Sequence, residues 1–317
     1  MSIKKLAVLT SGGDAPGMNA AVRAVVRTAL SKGVQVYGVY RGYNGLINGD
    51  LVEMDLRSVS DIIHRGGTML YTARSPEFCT EEGMQKAVAT CRQYGIEGLV
   101  VIGGDGSFRG AKDLTQRGIP CVGLPGTIDN EQTIGYDTAL NTSLEMIDKL
   151  RDTAQSHDRC SVVEVMGRRA GYLALNVGIA TGATSILVPE VPYDFDRDIV
   201  ERMIRISATG KKHFIIVVAE GVGHVMELAA RIEESTGFET RATILGHVQR
   251  GGSPTVRDRV IASRMGYHAV ELLLDGKSNR VVSIKDDHLV DYDIEEALQM
   301  KKPFDFELYR IAHEISI

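Results

Sequence analysis

The sequence contains no tryptophan, only four cysteines among 317 residues, and no apolar run near the ~18 residues that a membrane-spanning helix needs. Cys79, Cys91, Cys121 and Cys160 lack the spacing of metal ligands and are too few for the disulfide framework of a secreted domain. The apolar stretch Leu6–Leu9 is too short for a signal peptide. These absences predict a cytoplasmic protein that does not enter a membrane.

An excess of positive charge is also missing. Lysine and arginine number 36 against 41 aspartates and glutamates, which gives a formal net charge of −5. Such a surface does not favour binding to nucleic acid or to a membrane. The length predicts about two domains at ~100–200 residues each, and the 44% of hydrophobic residues is ordinary for a globular protein.

Glycine is abundant, because 34 of the 317 residues, or more than one in ten, are glycine. The typical share is ~7% of a chain. Short apolar runs alternate with segments of helical periodicity, and this alternation predicts an α/β fold of doubly wound parallel sheets. The predicted strands are Leu6–Thr10, Val34–Val39, Gly98–Ile102, Val122–Leu124, Val162–Val165, Ile186–Val188 and Phe214–Val218. The predicted helices are Asn19–Leu30, Glu81–Tyr94, Ser143–Thr153, Ile199–Ser207 and Arg257–Leu274.

Glycine-rich turns follow several of these strands. The five turns are Ser11–Asn19, Gly103–Ser107, Gly126–Asn130, Met166–Arg168 and Gly246–Gly252. In open parallel sheets, ligands bind beyond the carboxyl ends of the strands. We therefore expect the turns to lie on one edge of a sheet, or on the matching edges of two facing sheets.

Two of the turns suit a phosphate group. Gly12-Gly13 and Gly103-Gly104 each end a strand and precede a helix, where backbone N–H groups and the positive helix terminus bind anions. Neither turn matches a P-loop or a Gly-x-Gly-x-x-Gly motif, and each can also be a tight turn without a ligand. Asp105, inside its glycine loop, suits Mg²⁺, which takes one or two carboxylates with waters and phosphate oxygens.

Asp129 is a candidate general base. It lies on a turn after a strand, next to Thr127 and Asn130. A carboxylate there can accept the proton of an attacking hydroxyl, as the catalytic aspartate of kinases does. The alternative is an Asx turn or a helix cap.

Four arginines, Arg159, Arg168, Arg241 and Arg250, flank or end strand-like runs. They can form a basic cluster around a phosphorylated substrate, although each can also be an ordinary surface arginine. His247, three residues before Arg250, is by itself more typical of a histidine with a structural role.

Together these motifs resemble the phosphofructokinase family, in its bacterial ATP-dependent branch. The resemblance rests on Leu9–Asn19, Gly103–Ser107, Pro125–Asn130, Val165–Arg168 and Gly246–Gly252, and it extends from Leu6 to about Phe304. A Gly-Gly-Asp-Gly motif alone is weak, but the ordered set is specific. It implies a homotetrameric enzyme with two doubly wound α/β domains, which uses ATP and Mg²⁺ to phosphorylate the 1-hydroxyl of fructose 6-phosphate, the committing step of glycolysis.

The resemblance also implies roles for individual residues. Asp129 would be the base, with Thr127, Arg168 and Arg74 as further catalytic residues. ATP would be held by Gly12, Arg74, Ser75, Gly104, Asp105, Gly106 and Ser107, with Asp105 near Mg²⁺. Fructose 6-phosphate would be held by Thr127, Ile128, Asp129, Met166, Gly167, Arg168, Glu220, His247, Val248, Gln249 and Arg250, and by Arg159 and Arg241 of a neighbouring subunit.

The same resemblance implies discontinuous domains. Residues 1–138 and 250–300 would form a larger ATP-binding domain, and residues 139–249 and 301–317 a smaller substrate-binding domain. Pyrophosphate-dependent members of the family generally carry Asp where Gly106 stands and Lys where Gly126 stands, so the two glycines favour ATP. A further alternative is a nucleotide-sensing protein that has lost turnover; the intact Asp105, Asp129 and arginine set argues against it.

An effector site is expected from the resemblance, for a nucleoside diphosphate such as ADP or for phosphoenolpyruvate. Its matching positions are Arg23, Arg27, Arg151, Lys211, Lys212 and His213. Arg23 and Arg27 are one helical turn apart and can face one anion. Many relatives have Glu where Thr184 stands and Lys where Thr209 stands, and without these charges we expect weak regulation.

The segment after Asn130 is shorter than in relatives. Only Glu131 and Gln132 separate Asn130 from Thr133, where relatives have about seven residues, and the difference of about five residues removes up to ~17 Å of reach. We expect such a loss to pull on Asp129 or to unwind the start of the next helix. Either the shortening is real, Glu131 replaces a missing acid and turnover is impaired, or a further segment belongs here. The second hypothesis is favoured because loops that close over substrate are often disordered. The intact mass of the protein decides between the two.

Overall fold

The computed structural model describes residues 3–130, 132–300 and 302–316. Its strands are β1 Lys5–Thr10, β2 Gln35–Val39, β3 Leu51–Met54, β4 Gly98–Gly103, β5 Cys121–Pro125, β6 Cys160–Val165, β7 Ser185–Leu187, β8 Phe214–Ala219, β9 Thr240–Ile244, β10 Arg280–Lys285 and β11 His288–Asp293. Its helices are α1 Met18–Ser31, α2 Gly42–Asn48, α3 Glu81–Tyr94, α4 Asp105–Gln116, α5 Tyr136–Ser156, α6 Tyr172–Ala180, α7 Glu201–Ser207, α8 Val225–Thr236, α9 Val256–Leu274, α10 Ile294–Gln299 and α11 Phe306–Ile315. Short 3₁₀ turns span Glu77–Cys79 and Gly246–Arg250, and a π-helical turn spans Asp196–Val200.

The chain divides into two compact units. The first comprises Met1–Thr138 and Arg250–Lys301, and the second comprises Ala139–Gln249 and Lys302–Ile317. The α/β fold predicted from the alternation of strands and helices is confirmed, because each unit contains its own sheet with helices in the connections.

The first unit contains a seven-stranded sheet in the order β11-β10-β5-β4-β1-β2-β3. Its central strands run parallel, and only the two edge strands, β3 and β11, are antiparallel to their neighbours. All six residues of β4 are buried, as expected for a strand covered on both faces. Alternate side chains of β1 and β4, such as Leu9 and Val101, pack into a core with α2, α3 and α4. Helices α1 and α9 pack against each other and contact strands of the same sheet.

The second unit contains a four-stranded parallel sheet in the order β7-β8-β6-β9. Strand β8, with the sequence FIIVVA, is buried along its whole length. Phe214, Ile216 and Val218 on one of its faces pack into a core with Ile199, Met203 and residues of α8.

The predicted elements are found with modest shifts at their ends. The start of the helix predicted over Ile199–Ser207 needs a correction. Its first two residues belong to the π-helical turn Asp196–Val200, and α7 begins only at Glu201. The sequence patterns gave no bounds for α2, α4, α6, α8, α10 or α11, nor for strands β3, β9, β10 and β11. None of the helices within the described ranges has the length and apolar character that crossing a membrane requires.

Each glycine-rich turn lies at the carboxyl edge of its own sheet, which confirms that part of the expectation. Ser11–Asn19, Gly103–Ser107 and Gly126–Asn130 follow the adjacent strands β1, β4 and β5 of the first sheet. Met166–Arg168 and Gly246–Gly252 follow β6 and β9, which are adjacent in the second sheet.

Candidate active site

Two of the phosphate-type turns meet at the point where the strand order of the first sheet reverses. Strand β1 has β2 on one side and β4 on the other, and such a switch point is where open α/β sheets bind ligands. The Ser11 N–H donates to the carbonyl of Ile102 over 2.9 Å. A Cβ on Gly103 would lie 2.5 Å from the Ser11 carbonyl oxygen and 2.4 Å from Ser107 Oγ. Only glycine therefore lets the two turns approach each other this closely.

A third turn joins them. The Gly126 N–H donates to the Gly103 carbonyl over 2.9 Å, and a Cβ on Gly104 would lie 3.1 Å from the methyl group of Thr127. The structure thus brings Gly12, the Gly104–Ser107 segment and the Thr127–Asp129 turn together at one edge of one sheet.

The segment that carries Arg74 and Ser75 is tied to the same place. Thr72 Oγ1 donates to the Gly12 carbonyl over 2.6 Å, and Thr10 Oγ1 donates to the Tyr71 carbonyl over 2.8 Å. Arg74 itself is exposed, and Ser75 Oγ accepts a hydrogen bond from Phe78 N.

Asn19 holds the residues just before that segment, from Arg65 to Met69. The sequence had given Asn19 no role. It is 2% exposed, its Nδ2 donates to the carbonyls of Arg65 and Gly66, and its Oδ1 accepts from the Met69 N–H. An asparagine in the first turn of a helix after a glycine turn gave no distinguishing signal, because its partners lie 46–50 residues away along the chain.

Asp105 requires a correction. It does not lie inside a glycine loop; it is the first residue of α4, whose N-cap is Gly104 in an extended conformation. Its carboxylate is exposed and makes no hydrogen bond within the described ranges. No group of three or more His, Cys, Asp or Glu side chains that could hold a metal occurs among the described residues. A single free carboxylate fits Mg²⁺ that takes its other ligands from water and nucleotide phosphates, but not a metal held by protein ligands alone.

Asp129 lies on a compact, hydrogen-bonded turn. Thr133 Oγ1 donates to the carbonyls of Thr127 and Asn130 over 2.8 and 2.6 Å, and the Gln132 N–H donates to Asn130 Oδ1. The Ile134 N–H returns to the Pro125 carbonyl over 2.8 Å. The half-buried Asp129 carboxylate makes no hydrogen bond to the residues the structure describes, so it is available to a ligand.

Of the two effects expected from the short connection, an unwound start of the following helix is not observed, whereas a displacement of Asp129 stays a prediction. Helix α5 begins at Tyr136, only three residues after Thr133. Glu131, the acid that could replace a missing one, lies outside the described residues. That a further segment belongs between Asn130 and Thr133 stays a prediction.

A buried carboxylate holds the start of α5. Asp258 is 1% exposed; one of its oxygens accepts from the Gly135 N–H over 2.9 Å, and the other accepts from the N–H and the hydroxyl of Thr138. Burial raises the pKa of Asp258, and these hydrogen bonds oppose that rise. The sequence missed this residue; its spacing from Thr255 is that of a helix cap, and Thr255 Oγ1 does accept from the Asp258 N–H.

In the second unit, the turn after β6 is fixed by two side chains. A Glu220 carboxylate oxygen accepts from the N–H groups of Gly167 and Arg168, and Gln249 Oε1 accepts from the Met166 N–H over 3.2 Å. Arg168 adopts a left-handed conformation with φ 56° and is exposed. The nearby Glu164 carboxyl has a raised pKa, because it is partly buried and faces the charge of Glu220. This edge therefore offers both carboxylate acceptors and an arginine to a polar ligand.

The remaining residues expected around the substrate differ in their exposure. His247 and Val248 are exposed on the 3₁₀ turn, whereas Gln249 is fully buried. Arg250 belongs to the first unit, where its Nη1 donates to the Asp14 carbonyl over 3.1 Å.

The arginines do not form one cluster within the second unit. Arg159 directly precedes β6 and Arg241 is the second residue of β9, so both lie at the amino edge of the sheet. Arg168 follows β6 at the opposite edge, one strand length or roughly 20 Å away. Both amino-edge arginines face Glu239, at 2.7 Å from Arg159 Nε and 2.5 Å from Arg241 Nη2. Within one chain, Arg159 and Arg241 therefore lie apart from Arg168, and a basic cluster that a neighbouring subunit completes stays a prediction.

The expected effector positions form two groups, one in each unit. On α1, burial and the charge of Arg27 lower the pKa of Arg23, and the buried Arg27 Nε has no hydrogen-bond partner among the described residues. In the second unit, Arg151 donates to the Thr181 carbonyl, and burial together with the charge of Arg151 lowers the pKa of Lys211.

Two further positions of that second group are also basic. Burial, followed by the charges of Lys211 and Arg151, lowers the pKa of His213. Lys212 is exposed and lies 3.8 Å from Asp158. The second group is therefore a concentration of positive charge with few carboxylates.

Comparison with known proteins gives a consistent result. A family model described as phosphofructokinase matches residues 5–273. A protein of Bacillus licheniformis named ATP-dependent 6-phosphofructokinase is 59% identical over 320 residues, which cover 99% of this chain and 100% of that protein. A protein of the same name from Bacillus cytotoxicus is 58% identical over the same shares.

Solved structures agree in fold. A phosphofructokinase from Saccharomyces cerevisiae matches 99% of this chain with a TM-score of 0.89 and 37% identity, although this chain spans only 48% of the yeast chain. A pyrophosphate-dependent phosphofructokinase from Marinobacter aquaeolei matches 96% of this chain and 86% of its own length with a TM-score of 0.84. At 22% identity, the latter likeness concerns the fold alone.

Proposed function

The chain belongs to the phosphofructokinase family, and from this premise we propose that it transfers the γ-phosphoryl group of ATP to the 1-hydroxyl of fructose 6-phosphate. The observation that carries the proposal is the meeting of the Gly12, Gly104–Ser107 and Thr127–Asp129 turns at the switch point of the first sheet. Backbone N–H groups and a helix N-terminus there suit phosphates, and a free carboxylate lies on the adjacent turn.

The reaction needs one proton transfer. Asp129 takes the proton of the 1-hydroxyl while that oxygen forms its bond to the γ-phosphorus; the bond from the γ-phosphorus to the bridging oxygen breaks, and ADP leaves. Such reactions depend on positioning and on charge neutralisation more than on covalent chemistry. Arg74 and Arg168 supply positive charge, and Thr127 orients the turn that carries the base.

Mg²⁺ is the expected metal, with Asp105 as its protein ligand. When bound, it would neutralise phosphate charge and orient the transferring group. The position of Asp105 at the N-terminus of α4 places a carboxylate beside the backbone N–H groups that suit the phosphates.

In the second unit, the residues proposed to bind fructose 6-phosphate lie at the carboxyl edge of the sheet; they are Met166, Gly167, Arg168, Glu220, His247, Val248 and Gln249. In the first unit, the residues proposed to bind it are Thr127, Ile128, Asp129 and Arg250. Arg159 and Arg241 lie at the other edge of the second sheet. That position supports their assignment to the site of a neighbouring subunit in a homotetramer.

The larger unit is proposed to bind ATP and the smaller one fructose 6-phosphate. The two basic groups, on α1 and around Lys211, are proposed to receive an anionic effector such as ADP or phosphoenolpyruvate. Burial, and after it the charges of neighbouring basic side chains, lowers the pKa values of Arg23, Lys211 and His213. An anion would stabilise the charged forms of these side chains.

A coupled assay tests the proposal directly. Fructose 6-phosphate is offered with ATP or with pyrophosphate, each with Mg²⁺, and the release of ADP and of fructose 1,6-bisphosphate is followed. We expect turnover with ATP alone. Turnover with pyrophosphate but not with ATP would contradict the proposal, and turnover with neither would indicate a binding protein.

A further inference from the structure

Thr10 is a buried polar side chain in the first unit that the proposed reaction does not use. It is 0% exposed and is the last residue of β1, two residues before Gly12. Its backbone pairs with Ile102 of β4, and the Ser11 N–H that follows donates to the Ile102 carbonyl over 2.9 Å. The Thr10 hydroxyl is therefore held by the centre of the sheet, beside a turn proposed to receive phosphate.

The Thr10 hydroxyl belongs to a chain of hydrogen bonds that has one direction. Thr10 Oγ1 donates to the Tyr71 carbonyl over 2.8 Å, and this bond uses the only proton of the hydroxyl. In the 2.8 Å contact between the Thr10 and Thr68 hydroxyls, Thr68 is therefore the donor. Thr68 Oγ1 in turn accepts from the Leu70 N–H over 3.2 Å. Thr10 is thus bonded to both ends of the segment that Thr68 begins and Tyr71 ends.

That segment is a tight turn with an unusual last residue. The Tyr71 N–H donates to the Thr68 carbonyl over 3.2 Å, and Tyr71 has a left-handed conformation with φ 56°. The Leu70 carbonyl accepts from the Arg41 N–H over 2.8 Å. A left-handed conformation is unfavourable for a residue with a Cβ and persists only where the surroundings fix it. Thr10 supplies the bond to the carbonyl of Tyr71 itself.

The conformation of Tyr71 sets the course of the residues that follow it. The hydroxyl of Thr72, the next residue, donates to the Gly12 carbonyl over 2.6 Å, so the chain here lies against the Gly12 turn. Arg74 is two residues further on, within ~7 Å of extended chain. A different conformation at Tyr71 would therefore move Arg74 relative to the turn proposed to bind phosphate.

We propose that Thr10 is a positioning residue for the nucleotide: its hydroxyl holds the left-handed turn at Tyr71 and thereby places Arg74 beside the Gly12 turn. The inference rests on the role proposed above for Arg74 toward ATP. Thr10 does not touch the nucleotide, because none of its surface is exposed. A valine of the same shape cannot replace it, because only the hydroxyl donates to the Tyr71 carbonyl.

Two substitutions in the assembled, full-length protein test the hydroxyl. Thr10→Val should raise KM for ATP, and the Kd of a β,γ-imido analogue of ATP, by about two- to tenfold, the effect of one hydrogen bond. KM for fructose 6-phosphate should change by less than about twofold. Thr10→Ser keeps the donor and should restore the parent values. Thr115→Val, which removes a hydroxyl bonded to the Ala111 carbonyl on α4, is the control and should change none of these constants.

A double-mutant cycle separates positioning from a purely structural role. In an Arg74→Ala background no guanidinium is left to place, so Thr10→Val should change the Kd of the analogue by less than about twofold. A purely structural role would give the same loss of affinity in both backgrounds. Such an equal loss, an unchanged Kd in Thr10→Val alone, or a Thr10→Ser variant as weak as Thr10→Val would overturn the proposal.

Thr68→Val decides the question if Thr10→Val does not fold, because Thr68 is only partly buried. It removes the middle of the hydrogen-bond chain, so it should raise the Kd of the analogue in the parent background but not with Arg74→Ala. The same rise in both backgrounds would refute the proposal. A parent protein that binds the analogue but does not turn over ATP would contradict the kinase reaction and leave the cycle measurable, whereas no binding of the analogue would refute both.

Discussion

Asp258 and Thr138, 120 residues apart in sequence, are joined by two hydrogen bonds, from the Thr138 N–H over 2.8 Å and from its hydroxyl over 2.5 Å, to one buried carboxylate oxygen. The other oxygen holds the Gly135 N–H. Thr138 Oγ1 also accepts from the Thr255 N–H over 3.0 Å. The start of α5, which follows the turn of Asp129, is thus fixed to the start of α9 without an ion pair.

Asp258→Asn should destabilise the first unit. The new amide N–H₂ would face either the Gly135 N–H or the two Thr138 donors, and a buried donor left without an acceptor costs about 1–3 kcal/mol. Chemical denaturation should show this loss. Asp152→Asn, an exposed change on α5, is the control and should have little effect; equal stability of the two variants would mean that the network contributes nothing.

Asp129→Asn should lower kcat by ~10²–10⁴-fold, the usual loss of a positioned general base. Because the carboxylate makes no hydrogen bond to the described residues, the melting temperature should stay near that of the parent. Steady-state kinetics and calorimetry measure both. A kcat within a few-fold of the parent would remove Asp129 from the role of base.

Gly106→Asp should weaken the use of ATP while leaving the fold intact. A Cβ on Gly106 meets no atom within 4 Å, and an acidic residue in the first turn of α4 favours the helix. The added charge beside Asp105 should raise KM for ATP by about tenfold, which corresponds to ~1.4 kcal/mol.

The same measurement on Gly126→Ala is the comparison, since a Cβ there would lie 3.0 Å from Met18. We expect Gly126→Ala to lower the free energy of unfolding and to leave KM for ATP nearly unchanged. An unchanged KM for ATP in Gly106→Asp would show that the open space beside Gly106 does not receive the nucleotide.

Arg241 should act in a site completed by another subunit. Arg241→Ala and Asp129→Asn chains, each inactive alone, should regain part of the activity when mixed, because a hybrid assembly contains some sites with both residues intact. Arg197→Ala, at an exposed arginine with its own Asp198 partner, should keep its activity and serves as the control. No recovery after demonstrated exchange of subunits would count against shared sites.

Regulation by ADP and phosphoenolpyruvate should be weak. Thr184 and Thr209 lack the charges that relatives carry there, and Thr209 Oγ1 donates to the Ile206 carbonyl over 2.7 Å. The rate should rise almost hyperbolically with fructose 6-phosphate, with small shifts on adding either effector. Strongly sigmoidal kinetics that ADP relieves would contradict this prediction.

The sequence predicted the central strands because their apolar runs are continuous. It placed a helix after Gly103-Gly104 but gave no bounds for it, since Gly106 and Gly110 weaken the helical pattern of that segment. The helix forms because Phe108, Ala111 and Leu114, at helical spacing, are buried in the core. Tertiary packing there outweighs low intrinsic propensity.

Local spacing also located the turns of the site but not what holds them. The spacing of Thr255 and Asp258 is that of a helix cap at the start of α9. The Asp258 carboxylate, however, binds residues at the start of α5. Asn19, likewise, bonds to a segment that begins 46 residues later. Such partners depend on the fold, and periodicity or motif spacing in one sequence carries no information about them.

The first unit is built from two stretches of chain, and residues 139–249 lie between them. Strand β10 pairs with β5, and α9 packs on α1. During synthesis, therefore, β5 remains an open sheet edge and the apolar face of α1 remains uncovered until almost all of the second unit has left the ribosome. An unpaired edge of this kind invites association with other nascent chains. The first 138 residues therefore depend, for a closed sheet edge and a covered helix, on a stretch that is made only after residue 249.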